Sequence, residues 1–144
     1  MLFSQNRDQL RQFYCDVWRR HRAGAVLEAL EAQIRDVILM HPEYQPLLER
    51  PDAALGRDYQ PGLGETNPFL HMGLHLALHE QLATDRPAGI RAVAQRLRLT
   101  GADGHALEHR MMDCLAETIW RSQRDDTPPD EGEYLRCLER LLQR

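Results

Sequence analysis

The stretch Asn67 to Thr84, NPFLHMGLHLALHEQLAT, constrains this chain more than any other. Phe69, Leu70, Met72, Leu74, Leu76, Ala77, Leu78 and Leu82 spread around most of a helical circumference, leaving a narrow polar edge at Gly73, Glu80 and Gln81. A helix apolar on nearly every side needs neighbours on nearly every side, so the pattern predicts a central helix in a bundle. Asn67 is a good N-cap and Pro68 suits the first helical position, which places the start of that helix. The same stretch sets His71, His75 and His79 four residues apart, hence on one face.

The remaining chain reads as helices separated by proline and glycine, with no strand. Leu10, Phe13, Tyr14, Val17 and Trp18 recur at spacings of three and four and predict a helix from about Asn6 to His21, stopped by Gly24. Its closing Arg19-Arg20-His21-Arg22 complements the helix dipole and does not require a phosphate ligand. Val26, Leu27, Leu30, Ile34, Val37 and Ile38 predict a second helix over Ala25 to Met40, with Glu31 and Arg35 as an exposed pair and Pro42 as its end. A short helical turn is expected around Glu43 to Glu49. Pro51 to Thr66, with three glycines and two prolines, is the longest stretch without periodicity and reads either as a lid or as a plain surface connection.

Beyond the central helix, Ile90, Val93, Ala94 and Leu97 predict a short helix beginning with Pro87 and ending near Thr100-Gly101. Asp103 then caps a long helix to about Gln123, with Leu107, Met112, Leu115, Ala116, Ile119 and Trp120 as apolar members. Thr127-Pro128-Pro129 breaks the chain. A last helix from Asp130 carries Glu131 and Glu133 in its first turn and Arg136, Arg140 and Arg144 later. The expected fold is therefore all-α, a single domain over residues 1–144, in a bundle of about five to six helices.

Composition narrows the function classes. A net charge of −4 argues against general nucleic-acid binding, which relies on a basic footprint. No run of about 18 apolar residues exists to span a bilayer. The opening MLFSQNRDQL lacks a basic region followed by an apolar one, so a cytoplasmic location is expected. Cys15, Cys114 and Cys137 are odd in number and widely spaced, and read as small hydrophobes with neither a disulfide framework nor a thiolate metal site. No glycine-rich phosphate loop and no serine or cysteine triad is present.

The chemistry is concentrated in histidines. His105, His109 and Asp113 repeat the four-residue stripe on the Asp103 helix. Residues four apart on a helix have Cβ atoms about 5–6 Å apart, close enough for two imidazoles to share an ion at roughly 2.0–2.1 Å. Short connections make the Asn67 and Asp103 helices parallel, which would set His71 level with His105, His75 with His109, and His79 with Asp113. These six residues are the candidate ligands of a divalent metal, with zinc or iron favoured. Glu108, beside His109, is the candidate general base, extra ligand or supporting carboxylate. His105-Ala-Leu-Glu108-His109 also fits H-x-x-E-H, a five-residue match with nothing else peptidase-like around it. His21 and His41, near helix ends, read as core histidines bonded to carbonyl or carboxylate groups.

NPFLHMGLHLALHEQ, HALEHRMMDCLAETIWRSQR and PDEGEYL together resemble a bacterial family known as domain of unknown function 1841, over nearly the whole chain. The resemblance implies a compact helical protein and carries no activity, substrate or assigned site. It also implies that residues matching His71, His75, His105, Glu108 and His109 belong to the family's pattern, whereas a histidine at His79 is not a steady part of it. Two functions are compatible with all of this. One is metal-dependent hydrolase or redox chemistry at the histidine site, with the Pro51 to Thr66 loop over the substrate. The other is a non-enzymatic interaction module, binding a protein partner or a second copy, in which the histidines form a polar network or a closed structural metal site.

Overall fold

In a computed structural model the described residues are 2–59 and 66–143, and they fold as helices and turns with no strand. Eight α-helices are present among them: α1 (Leu2–Arg22), α2 (Ala29–Leu39), α3 (Gln45–Leu48), α4 (Pro51–Leu55), α5 (Pro68–Thr84), α6 (Ile90–Arg98), α7 (Gly104–Asp125) and α8 (Glu131–Arg140). The all-α expectation holds and the expected count of five to six is low. The excess comes from α3 and α4, four and five residues long, which are too short to show a hydrophobic period. The chain divides into two compact units, Met1–Gly73 and Leu74–Arg144, with the boundary inside α5.

In the first unit Tyr14, Cys15, Val17 and Trp18 on α1 are buried, as are Ile34, Val37 and Ile38 on α2. Gly24 ends α1 in the left-handed region at φ 76°, where only glycine is unstrained. The second helix starts later than the pattern predicts. Arg20 donates to the Val26 carbonyl at 3.1 Å and pairs with Glu31, whose carboxylate accepts from the Glu28 N–H at 2.9 Å. Those contacts hold Ala25 to Glu28 outside the helix, leaving Val26 90% exposed and Leu30 also exposed. Glu31 is consequently buried and paired with Arg20, and does not form the exposed pair with Arg35 that the spacing suggests. Leu10 is likewise exposed.

Arg11 carries much of the unit's polar organisation. Its guanidinium is buried, donates to the Ala54 carbonyl at 3.0 Å and the Arg57 carbonyl at 2.7 Å, and lies over the Phe69 ring at 5.0 Å. One cation thus ties α1 to the end of α4 and the start of α5. Trp18 Nε1–H donates to Glu49 at 3.1 Å. Within the Pro51 to Thr66 stretch, Pro51–Leu55 is helical with Ala54 buried, which corrects the expectation of an unstructured connection there. Of the lid expectation, residues 60–65 lie outside the described residues, as does Arg144.

In the second unit Leu78, Ile90, Val93, Ala94, Leu97, Leu107, Met111, Met112, Leu115, Tyr134 and Leu138 form one buried cluster. Tyr134 closes it with a hydrogen bond from its hydroxyl to Gln81 Oε1 at 2.6 Å. Asp103 and Asp130 cap α7 and α8, accepting from the Ala106 and Glu133 amides at 3.0 Å each. Helix α6 starts at Ile90 and not at Pro87. Asp85 Oδ1 accepts from the Gly89 and Arg91 amides, so the turn through Arg86 and Pro87 is finished before the helix begins. Trp120 is 53% exposed, against its expected place on the apolar face of α7, and the Arg124 guanidinium covers its ring at 4.7 Å.

The cysteines also need correction. Cys114 on α7 and Cys137 on α8 form a disulfide, and only Cys15 is a buried free thiol that packs as a small hydrophobe. Their separation of 23 residues carries no motif, because they meet through the packing of two helices. A disulfide is commonest in oxidising compartments, so the pair gives the cytoplasmic expectation no support. No helix among the described residues is long and apolar enough to cross a membrane.

Two predictions follow from this packing. Breaking the disulfide by Cys114→Ser with Cys137→Ser should lower unfolding stability by about 3 kcal/mol, from the lost constraint on a loop of this length, read as the urea midpoint of the variant against the unreduced natural chain. Separately, burial pushes the Tyr14 phenol up to about 12. A phenol ionises above its ordinary value of about 10 in the unfolded chain but only near 12 in the folded one, so its contribution is complete below about pH 10 and is lost as pH rises towards 12. Between pH 9 and pH 12 the natural protein should lose on the order of 2 kcal/mol more stability than Tyr14→Phe; equal losses would contradict this assignment.

Candidate metal centre

Two elements of the second unit, the Leu74–Thr84 part of α5 and the first half of α7, present the histidine and glutamate side chains. Asn67 caps α5, its Oδ1 accepting from the Phe69 and Leu70 amides at 3.0 and 3.3 Å, and this fixes which residues face which way down the helix. His75 and His79 are one turn apart and their rings lie 6.2 Å apart. Asp103 does the same for α7, setting His105, Glu108 and His109 within one and a half turns.

Glu108 is the residue on which the two helices converge. Its Oε1 lies 2.9 Å from His75 Nδ1 and 2.5 Å from His79 Nε2. The His75 side chain is 0% exposed, Glu108 21% and His79 39%, so the contact runs from fully buried imidazole to solvent. Burial alone would push the Glu108 carboxyl upward. Hydrogen bonds and charge from His75 and His79 outweigh that and hold it well below the usual carboxylate range. In this metal-free arrangement Nδ1 of His75 donates its hydrogen to the carboxylate, a proton that an ion bound at Nδ1 would displace.

Aromatic packing gathers the rest of the α7 stripe. The His109 ring lies 5.1 Å from His75 and 4.3 Å from His105, and His75 and His105 stack at 6.5 Å. His105 is exposed and His109 half-buried. Asp113 is exposed, one turn further on, and lines a surface depression with Arg110, Cys137 and Leu141 on the α8 side of its helix. His71 belongs to the first unit, where its Nε2 lies 3.1 Å from Nε2 of His41. His41 is buried and its Nδ1 donates to the Val37 carbonyl at 2.8 Å. That carbonyl bond agrees with the sequence reading of His41; its approach to His71 had no sequence signal, since helical spacing says nothing about pairs 30 residues apart.

His75, His79 and Glu108 can each offer one atom to a shared ion, and these atoms all lie within 4.8 Å of one another. Two ligand atoms bound at about 2.0–2.1 Å in a tetrahedral shell are roughly 3.4 Å apart. The observed 2.5 and 2.9 Å are shorter, so the side chains must open by about half to one ångström to admit an ion, a movement that the half-exposed His79 can make by rotation. In the closed form the same atoms make a hydrogen-bonded network. Glu108→Ala should then cost about 1–3 kcal/mol in the metal-free protein, because a fully buried imidazole N–H loses its acceptor, while His79→Ala should cost under about 1 kcal/mol; urea unfolding in the presence of a chelator measures both.

No curated protein and no solved structure matches the chain. A family profile does, described as a domain of unknown function (DUF1841), and it covers residues 6–140. Nearly the entire chain, including both histidine-bearing helices, therefore belongs to the DUF1841 family.

Proposed function

We propose that this chain is a divalent-metal protein whose second unit holds the ion with His75, His79 and Glu108. The observation that carries this is the convergence of one carboxylate oxygen on Nδ1 of a fully buried histidine and Nε2 of a half-exposed one. Two imidazoles and one carboxylate are the ligand chemistry of catalytic zinc and of non-haem iron sites, with further coordination positions left to solvent or substrate. His79 lies at the solvent edge, which is where such a position would open.

When bound, an ion of this kind supplies Lewis acidity and lowers the pKa of water, which favours hydrolytic or redox chemistry. The protein's own contribution is to hold the donors and move protons. Glu108 keeps its negative charge by the bonds described above, so it is ready to bind a cation without first losing a proton. His105, exposed and packed on His109, is placed to exchange protons with solvent beside the site. Glu108 thus serves as a ligand, and the base role falls to His105.

The test is metal uptake. Chelator-treated protein should take up Zn²⁺ or Fe²⁺ and gain about 2–3 kcal/mol of stability at roughly a hundredfold excess over the dissociation constant. The double variant His79→Ala, Glu108→Gln should take up one equivalent less than the natural chain. Uptake equal in both, or less than about a tenth of an equivalent in the natural chain with Zn²⁺, Fe²⁺, Ni²⁺ and Cu²⁺ each tried, contradicts the proposal.

A further inference from the structure

We infer that the first unit carries a second transition-metal site, formed by Nε2 of His41 and Nε2 of His71. The argument begins with protons. A carbonyl oxygen only accepts, so the 2.8 Å contact between His41 Nδ1 and the Val37 carbonyl places the hydrogen on Nδ1. The lone pair of neutral His41 is then on Nε2, and Nε2 points at Nε2 of His71, 3.1 Å away. An imidazole whose other nitrogen is tied to a backbone carbonyl is oriented in the way metal-binding histidines are.

The internal spacing of this pair is closer to that of two metal ligands than the Glu108 contacts are. Two nitrogens on one tetrahedral ion are about 3.4 Å apart, so the pair at 3.1 Å needs about 0.3 Å of opening, against half to one ångström for the carboxylate contacts. A shared proton bridges such nitrogens when no ion is present, and a cation takes the same place between the same two lone pairs. The rings meet edge to face, 4.8 Å between centroids at 84°, so the two nitrogens approach without the rings colliding. Tyr44 stacks on His41 at 5.0 Å and nearly parallel, and also lies 6.2 Å from the His71 ring, which walls the pair from one side. His41 is 3% exposed and cannot swing away. Imidazole nitrogens select borderline nitrogen-loving ions such as Zn²⁺, Ni²⁺ or Cu²⁺ over Mg²⁺ or Ca²⁺.

One experiment distinguishes this site from the one proposed for the second unit. Uniformly ¹⁵N-labelled, chelator-treated full-length protein is titrated with Zn²⁺ and the ring nitrogens are followed by long-range ¹H–¹⁵N correlation. The expected result is a saturable shift of Nε2 in both His41 and His71, in the natural chain and equally in the His79→Ala, Glu108→Gln variant. In His71→Gln, which leaves the His41–Val37 bond in place, the His41 response should weaken about tenfold or more in Zn²⁺ concentration. Shifts confined to His75 and His79 would overturn the second site and leave the first standing. An undiminished His41 shift in His71→Gln would overturn the pairing, and no histidine shift at all would overturn both sites.

Discussion

A carboxylate taken largely out of water must be hydrogen-bonded or lose its charge. Glu108 keeps its charge because two histidines from another helix reach the same oxygen, and the whole candidate centre depends on that contact. The contact positions His75, sets its tautomer and holds His79 at the solvent edge. Without it His75 and His79 are two polar groups on a helix with little polar surface elsewhere. Capping side chains on both helices set this convergence, since Asn67 and Asp103 fix the rotation at which each stripe enters the structure.

Helix starts and stops were the most legible part of the fold. Asn67, Asp103 and Asp130 act as side-chain caps, Gly24 takes the left-handed conformation, and the Pro128-Pro129 break separates α7 from α8. Each of these is local chemistry, decided within about four residues. What escaped the sequence depended on distant partners. Arg20 holds Val26 outside α2 through contacts that no periodicity encodes. The buried Arg11 satisfies carbonyls more than 40 residues away. Cys114 and Cys137 are recognisable as a pair only once α7 lies on α8.

The site divides in the same way. Spacing of three and four placed His75 and His79 on one face, and His105, Glu108 and His109 on another, because that is a property of a single helix. It could not show that Glu108, off the centre of its stripe, would be the side chain facing both His75 and His79, nor that His71 would meet His41. The distances also sort the clusters by how ready they are for an ion. The imidazole pair is nearly at ligand spacing, whereas the Glu108 group is drawn together by hydrogen bonds that a cation would have to replace.

The central claim concerns where a bound ion sits, and anomalous diffraction from crystals grown with Zn²⁺ reads that position directly. An anomalous peak within about 2.0–2.2 Å of His75 Nδ1, His79 Nε2 and a Glu108 oxygen, with those three atoms spread to roughly 3.4 Å, is the predicted result. Zinc-grown crystals in which Glu108 keeps its short contacts to both histidines, with no peak between them, would contradict it.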